Sequence, residues 1–417
     1  YREVIKLTPN DSAAHSNLGC ALAEQGKMEP AVQSYKTALK LNPQDAEVYF
    51  ALGGLYETRG RLDLAQRSYQ DALNADPDFG AAHSALGWLA LGQPEESGGW
   101  ACSFVETAIL LEEFGRALAL EPYLSSAVLC GHILGRCSDA RAGGAALQEM
   151  MKGRTRLALA HEEPGDRYDA DFPGLVATRR GDGFLLQGTK SCVLDAPAAD
   201  RLIVSAQPGG ENGLALFLVD AATPGLRMNA YPLVDGTRAA DIVLDGVRVP
   251  AACLLAGGAA ARDLLHEALD RATLARVAMA LGAMESVLQL TADYLKTRVQ
   301  FGQPIGRFQA LQHRLAEMFV EVQETRSILC CGLAQMGGPA AQRSAMVSAA
   351  KVVAVNAARI VGGQAIQLHG SIAMTAEYAA GHYYEHLLAF EKIHGDADWH
   401  LDRFARLRGT HAAVVHA

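Results

Sequence analysis

The chain has 417 residues, of which half are apolar and 20% are charged, and its formal net charge is −9. This length predicts two or three domains, and the composition is that of folded globular proteins rather than of disordered chains. The negative charge argues against a nucleic-acid-binding protein, which needs a basic surface to neutralise phosphates. No run approaches the ~18 continuous apolar residues of a membrane-spanning helix. We therefore expect neither nucleic acid nor a membrane as a partner.

The cysteine pattern favours a reducing compartment. Eight cysteines occur without a CxxC pair and without the spacing of a disulfide framework. Cys330 and Cys331 are adjacent, which suits buried thiols better than a bridge. The sequence as given does not begin with a secretory signal, and we expect a cytoplasmic location.

The N-terminal segment repeats with a period of 34 residues, which three sets of residues keep: Pro9, Pro43 and Pro77; Leu18, Leu52 and Leu86; Gly19, Gly53 and Gly87. This period, with small residues at fixed positions, is the signature of tetratricopeptide (TPR) repeats, in which each unit is a pair of antiparallel helices. Two units are complete, at residues 12–45 and 46–79. Tyr1 would fall inside the second helix of an earlier unit, so we expect the chain to be an excerpt of a longer protein.

The rest of the chain changes from a strand pattern to a helix pattern. β-branched and apolar runs at residues 184–188, 201–205, 214–219 and 241–244 lie between Gly and Pro turns and predict strands. From residue 261 onwards the stretches 272–298 and 311–333 carry apolar residues at helical spacing. Composition and periodicity therefore predict a small β domain followed by a helical domain.

Two strings in the helical part stand out by their residue types. Residues 298–309 (RVQFGQPIGRFQ) combine a guanidinium, which can form two hydrogen bonds to one anion, with an aromatic ring, and by themselves they also fit a helix end with a surface Arg and a buried Phe. Residues 364–378 (QAIQLHGSIAMTAEY) contain Gly370, which lets the backbone approach a phosphate closely.

Together with residues 86–91 (LGWLAL), 105–119 (VETAILLEEFGRALA) and 183–190 (GFLLQGTK), these strings resemble the acyl-CoA dehydrogenase family over residues 82–407. The resemblance implies FAD as the cofactor. It assigns Arg298, Phe301 and Gln309 to FAD contacts, made largely from the neighbouring subunit, and Gln367 and Gly370 to contacts with the ADP half. Family members usually carry two glycines where this chain has Gly370 and then a serine.

The fold class implied is α+β: N-terminal TPR helical hairpins followed by an acyl-CoA dehydrogenase fold. The predicted domains are the repeats at 1–79, a truncated N-terminal helical domain at 80–157, a middle β-barrel at 158–260 and a C-terminal four-helix bundle at 261–417. The family's first two helices are missing, and the repeats stand in their place.

The middle domain departs from the family at the flavin. Residues 158–165 (ALAHEEPG) resemble the segment before a loop under the flavin and the thioester, and residues 190–196 (KSCVLDA) resemble the strand that faces the isoalloxazine ring. Family members often place an aromatic residue near Cys192 and a hydroxyl near Leu194, and both are absent here. The resemblance therefore supports flavin contacts from the bundle more than from the middle domain.

The family's reaction needs a carboxylate that removes the proton α to a thioester carbonyl while a hydride passes to the flavin. The usual position of this Glu, before a Gly, falls on His394, and a second family position falls on Ala272. Asp270 lies two residues from Ala272, about 200° around a helix. The candidate catalytic residues are His394 and Asp270; His394 is either a proton acceptor, with an ordinary pKa near ~6.5, or a solvated loop histidine.

Residues 381–401 resemble the subgroup typified by the small subunit of pimeloyl-CoA dehydrogenase, whose members are expected to pair with a larger dehydrogenase subunit. We predict a FAD-dependent acyl-CoA dehydrogenase that introduces an α,β double bond into an acyl thioester on CoA or a carrier protein, as a homodimer, a tetramer or such a heteromer. The alternative is a non-catalytic subunit that pairs with an active partner through its fold and repeats. The repeats either bind a protein segment or only cap the next domain.

His382 and His386 are four residues apart, a spacing at which two imidazoles can bind zinc from one helix face. No HExxH pattern and no third ligand accompany them in the sequence, so we predict no metal site.

Overall fold

The computed structural model describes residues 4–5, 8–59, 61–76, 82, 87–137, 142–209 and 213–409. Tyr1, Pro77, Leu86 and the predicted domain boundary between residues 79 and 80 lie outside these ranges. The chain forms two compact units, residues 1–90 with 148–155 and residues 91–147 with 156–417.

The repeat segment consists of helices α1 (Ser12–Glu24), α2 (Met28–Leu41), α3 (Ala46–Thr58) and α4 (Leu62–Ala75), as the 34-residue period predicts. The first helix of each pair begins at the same repeat position. The carboxylate of Asp11 accepts a hydrogen bond from Ala14 N at 3.1 Å, and that of Asp45 accepts one from Val48 N at 3.2 Å. Such N-caps satisfy amide groups that have no partner inside the helix.

The repeated glycines permit close helix contact within each pair. A Cβ atom built on Gly19 would lie 2.6 Å from the ring of Tyr35, and one on Gly53 would lie 2.4 Å from the ring of Tyr69. Both tyrosines are buried. Helix and ring can occupy these positions only because the glycine has no side chain.

The second unit begins with α5 (Phe104–Ala117), a π-helical segment (Leu124–Cys130) and α6 (Gly131–Arg136). Helix α7 (Ala142–Met151) has residues in both units. The strands that follow are β1 (Leu157–Ala160), β2 (Val176–Arg180), β3 (Gly183–Leu194), β4 (Arg201–Pro208), β5 (Ala215–Asp220), β6 (Leu226–Pro232), β7 (Arg238–Pro250) and β8 (Leu254–Gly257). The four predicted strands lie within β3, β4, β5 and β7 to within one residue.

The strands form one mostly antiparallel sheet. They pair in the order β6-β7-β3-β2-β4-β5-β8, and β1 pairs with β4. The β1–β4 and β2–β4 pairs are parallel, and the other pairs are antiparallel. Apolar side chains from these strands share one buried core. The chain just after β1 lies beside β3, because Ser191 N of β3 donates a hydrogen bond to Glu162 O, and the site described below is built there.

The C-terminal part is helical, as predicted: α8 (Gly258–Thr297), α9 (Gln309–Gln335), α10 (Ala340–His369), α11 (Ala379–Lys392) and α12 (Ala397–Leu407). The middle of α8, residues 272–284, is buried without interruption. A Cβ on Gly282 of α8 would lie 1.9 Å from Glu112 O, and a Cβ on Gly115 of α5 would lie 1.8 Å from Met279 O. These two glycines let the backbones of α5 and α8 touch.

Within the described residues, one segment, Ala340–Met374, is long and apolar enough to cross a membrane by length and composition. Its most apolar window has a mean hydropathy of 1.4, and 61% of that window is buried inside the protein. The core helix of a soluble protein has the same properties, and this segment contains α10.

The expectation that Cys330 and Cys331 are buried is wrong, because both are exposed. Helix α9 buries Met318, Val322, Thr325, Leu329 and Gly332, which recur at steps of three and four residues and form one face. The two cysteines lie on other faces of that helix.

Candidate active site

The string at residues 298–309 forms a hairpin between two helices. Helix α8 ends at Thr297, and the strands β9 (Val299–Gln300) and β10 (Gln303–Pro304) are joined by Phe301 and Gly302. Both turn residues have positive φ, 53° and 78°, as a tight two-residue hairpin requires. The turn holds the Phe301 side chain 90% exposed, an unfavourable position for an aromatic ring unless another molecule covers it.

The second string lies beside the first. Tyr294, one turn before Arg298, donates a hydrogen bond from its hydroxyl to His369 O at 3.3 Å, and the rings of Tyr294 and His369 lie 4.5 Å apart. On the next pair of helices, Arg314 donates to the side-chain oxygen of Gln364 at 3.1 Å. The structure therefore brings the two predicted cofactor strings to one end of the helical bundle.

The five predicted cofactor residues are all exposed at this end: Arg298, Phe301, Gln309, Gln367 and Gly370. Gly370 ends α10 with φ 69° and ψ −145°, and a Cβ there would meet nothing within 4 Å, so the backbone angle rather than crowding requires glycine. A guanidinium, two amides, an uncovered aromatic ring and an open glycine turn are groups that fit an anionic dinucleotide. Their assignment to FAD stays a prediction.

A small cavity, about 10 Å³ in volume, lies where the end of β1 meets β3. Its walls include Ser125 of the π-helical segment, His161 and Glu162 after β1, Cys192 and Leu194 of β3, and His394. Two hydrogen bonds join the strand segments: Ser191 N donates to Glu162 O at 2.9 Å, and Lys190 Nζ donates to His161 O at 3.2 Å. The two segments that resemble the flavin-facing part of the family are thus adjacent in space.

The loop between α11 and α12 places His394 in this cavity. His394 has φ 58°, and its carbonyl oxygen accepts a hydrogen bond from His400 Nε2 at 2.9 Å. The buried Lys351 donates to Ile393 O at 3.0 Å and to Phe390 O. His394 is 8% exposed, which rules out the interpretation of this residue as a solvated loop histidine.

Both histidines of the cavity favour the neutral form. Burial, with Lys190 nearby, lowers the pKa of His161 to about 4. Burial also lowers the pKa of His394 well below its usual value, and the neighbouring Arg276 lowers it further. The Nδ1 atoms of both rings are buried and have no hydrogen-bond partner among the residues that the structure describes, and the ring centres lie 6.4 Å apart.

Two adjacent glutamates after β1 have opposite surroundings. Glu163 accepts hydrogen bonds from Lys190 Nζ at 2.6 Å, Gly174 N at 2.8 Å and Leu175 N at 3.0 Å. Glu162 lies 3.8 Å from His161 Nε2, and its side chain is 24% exposed. Because burial disfavours the carboxylate and Asp166 repels it, the pKa of Glu162 is raised to about 7. With His161 neutral, this contact is not an ion pair.

Asp270 lies elsewhere, in a buried ion-pair cluster between helices. Its carboxylate accepts hydrogen bonds from Arg343 Nε at 3.2 Å, Ser344 Oγ at 2.6 Å and Arg403 Nη2 at 2.8 Å, and the side chain is fully buried. The structure does not bring Asp270 into the cavity that holds His394. Two guanidinium groups and a hydroxyl already occupy the oxygens of this carboxylate, so this geometry supports a structural role.

His382 and His386 face different partners. His382 lies 2.9 Å from Ala376 O through Nε2, whereas the buried His386 lies 3.6 Å from Asp235 Oδ2 through Nδ1. Among the residues that the structure describes, no group of three or more His, Cys, Asp or Glu could hold a metal ion.

Helices lie before and after a mostly antiparallel sheet in this unit, which is the order of the three domains of one enzyme family. Family models agree: the acyl-CoA dehydrogenase N-terminal domain matches residues 62–154, the middle domain 158–247 and the C-terminal domain 262–407. A TPR repeat model matches residues 19–60. The chain belongs to the acyl-CoA dehydrogenase family, which places it among FAD-dependent oxidoreductases.

Individual relatives give the same result. "Probable acyl-CoA dehydrogenase YngJ" of Bacillus subtilis is 30% identical over 296 residues, 68% of this chain and 77% of that protein. A variant of the Tcur3481-Tcur3483 steroid ACAD is 30% identical with a TM-score of 0.72, over 88% of this chain and 99% of that one. The ChsE4-ChsE5 complex from Mycobacterium tuberculosis is 28% identical with a TM-score of 0.73, over 88% and 98%.

The sequence patterns did not single out Glu162, although the string at residues 158–165 contains it. The available signal was the pair of adjacent glutamates after an apolar strand, because neighbouring side chains in extended chain point to opposite sides.

Proposed function

We propose that the chain is the FAD-dependent dehydrogenase of an acyl thioester, carried on CoA or a carrier protein, and that it introduces an α,β double bond. One observation carries this proposal: the loop after α11 brings His394 to a cavity at the two strand segments that resemble the family's flavin-facing region. When bound, FAD supplies a hydride acceptor. The titratable residues of the cavity wall are the candidates to accept the C2 proton of the thioester.

The bundle end would hold the dinucleotide. Arg298 and Gln309 offer exposed donors, Phe301 an uncovered ring, and Gly370 an open turn at which backbone can approach a phosphate. Family members use these positions largely on the FAD of a neighbouring subunit. We therefore propose an oligomer in which this end faces a second dehydrogenase chain. A cytosolic location is proposed from the cysteine pattern.

The first experiment is a visible spectrum of the purified chain after incubation with FAD, followed by anaerobic addition of butyryl-, octanoyl- and palmitoyl-CoA. We expect flavin absorbance that bleaches with at least one thioester. Replacing Arg298 by Gln should weaken FAD binding, whereas Arg307→Gln, an equal loss of charge at an exposed position of the same loop, should not. A chain that takes up no FAD would contradict the proposal.

A second function is a non-catalytic subunit that pairs with an active dehydrogenase. The cavity wall favours it: Leu194 brings no hydroxyl, and the family's two base positions hold His394 and the buried Ala272. Two of the structural neighbours are named as pairs of different chains. FAD uptake without bleaching by any of the three thioesters, together with co-purification of a second dehydrogenase chain, would support this function over the first.

A further inference from the structure

The cavity beside His394 contains one carboxylic acid among the described residues that line it, Glu162. Its neighbour Glu163 is held by a buried ammonium group and two backbone amides. The ring of His161, 3.8 Å away, is beyond hydrogen-bond distance of Glu162. The chain thus has an uncommitted carboxylate in the cavity in which the family's usual base position is occupied by histidine.

We propose that Glu162 is the general base that removes the C2 proton of the acyl thioester. The inference rests on the proposed function. In this step the C2–H bond breaks and an O–H bond forms on the Glu162 carboxylate. The bonding electrons stay on the substrate as an enolate conjugated with the thioester carbonyl. FAD supplies the oxidant for the hydride that leaves C3 and is not needed for the proton step itself.

The charges around the cavity favour Glu162 over His394 as the acceptor. Protonating His394 would create a cation in a buried position near Arg276, and burial together with this guanidinium lowers the pKa of His394. Protonating Glu162 instead removes a negative charge that burial and Asp166 already disfavour. A base is most effective when its pKa lies near the working pH, and about 7 meets that condition.

The pH dependence follows from the groups that face Glu162. His161 stays neutral above about pH 4, and His394 is also neutral, so neither pairs with the carboxylate. Asp166 raises the pKa of Glu162, and Glu162 in turn raises those of Tyr168 and Cys192. Because only the carboxylate form accepts a proton, proton removal should increase as pH rises through about 7.

The test is exchange of the C2 protons in D₂O, which requires no hydride transfer. The protein, with the FAD it holds, is incubated with butyryl-, octanoyl- and palmitoyl-CoA, and deuterium at C2 is measured by mass spectrometry. Glu162→Gln should reduce exchange at least about 100-fold and remove the increase near pH 7, and Glu162→Asp should restore part of it. Glu317→Gln, the same change on an exposed helical residue, should exchange like the parent protein.

Three outcomes would overturn the inference: exchange at the parental rate in Glu162→Gln, loss of exchange in His394→Ala but not in Glu162→Gln, or no exchange by the parent protein with any of the three thioesters. Flavin uptake and bleaching are recorded on the same samples. A parent protein that bleaches while Glu162→Gln still exchanges refutes the base and leaves the dehydrogenase function standing. Circular dichroism of each variant separates loss of the base from loss of the fold.

Discussion

Two regions of the second unit each bury a carboxylate, but the groups around the two carboxylates differ. In the helical bundle, Asp270 accepts hydrogen bonds from two arginines and a serine. At the end of β1, Glu162 faces a cavity with a neutral histidine beside it. Burial by itself therefore does not mark a functional acid. A buried carboxylate with its charge balanced contributes to structure, whereas one without a partner has a raised pKa and remains available for proton transfer.

The largest expected effect on stability comes from removing the carboxylate of Asp270. Asp270→Ala leaves Arg343 and Arg403 facing each other in a nearly solvent-free site, and we expect it to lower the free energy of unfolding by about 3–5 kcal/mol. Urea denaturation measures this. Asp402→Ala, which removes the exposed pair with Arg406, should cost less than about 0.5 kcal/mol. Equal effects of the two variants would mean that Asp270 is not the charge that holds these helices together.

The second largest effect on stability concerns Glu163 and its partner Lys190. Lys190 is fully buried and donates to Glu163, Ser205 and His161 O. Lys190→Met should lower the free energy of unfolding by about 2–3 kcal/mol, because Glu163 keeps its two backbone donors but loses its counter-charge.

The double variant Lys190→Met with Glu163→Gln checks that explanation. It removes both charges, so it should be more stable than Lys190→Met alone in the same urea titration. If the second substitution brings no recovery, the loss arises from packing of the lysine chain rather than from the buried charge.

The smallest expected effect is a gain of stability when the carboxylate of Glu162 is replaced. The folded-state pKa of Glu162 is about 7 against an ordinary 4.5, so the folded chain binds more protons than the unfolded chain between these values, and stability falls as pH rises through this window. The stability of Glu162→Gln does not fall in this pH window, because glutamine does not titrate. We expect it to be more stable than the parent by about 2 kcal/mol near pH 8.

Urea unfolding at about pH 8 and about pH 4.5 measures this difference, which should nearly vanish at the lower pH. Glu317→Gln should show no such pH dependence. A Glu162→Gln variant that is less stable than the parent near pH 8 would show that the carboxylate has a stabilising partner, and the two regions would then no longer differ.

Much of the fold could be predicted because its signals are local. The 34-residue period located α1 to α4, but the contacts of Gly19 and Gly53 with tyrosine rings sixteen residues later in each unit came from the structure. Alternating and helical apolar patterns located β3, β4, β5 and β7 and the long helices. The adjacent Cys330 and Cys331 were misjudged because hydrophobic character does not say which face of α9 is buried.

The site could be predicted less completely. Motif strings indicated Arg298, Phe301, Gln309, Gln367 and Gly370, and the structure places these residues at one exposed end of the bundle. Counting indicated His394 but gave neither its burial nor its neutral state. Asp270 was considered as a base because nothing in the sequence shows that Arg343 and Arg403 bind it.

The sequence by itself determined the repeat, the order of strands and helices, and the family, because these are encoded in periodicities and strings of neighbouring residues. Only the tertiary structure decided which acidic groups are neutralised. Lys190 reaches Glu163 from 27 positions along the chain and Arg403 reaches Asp270 from 133. The charge state of a buried group depends on such distant partners and on its distance from water. The neighbouring residues in the sequence determine neither of these.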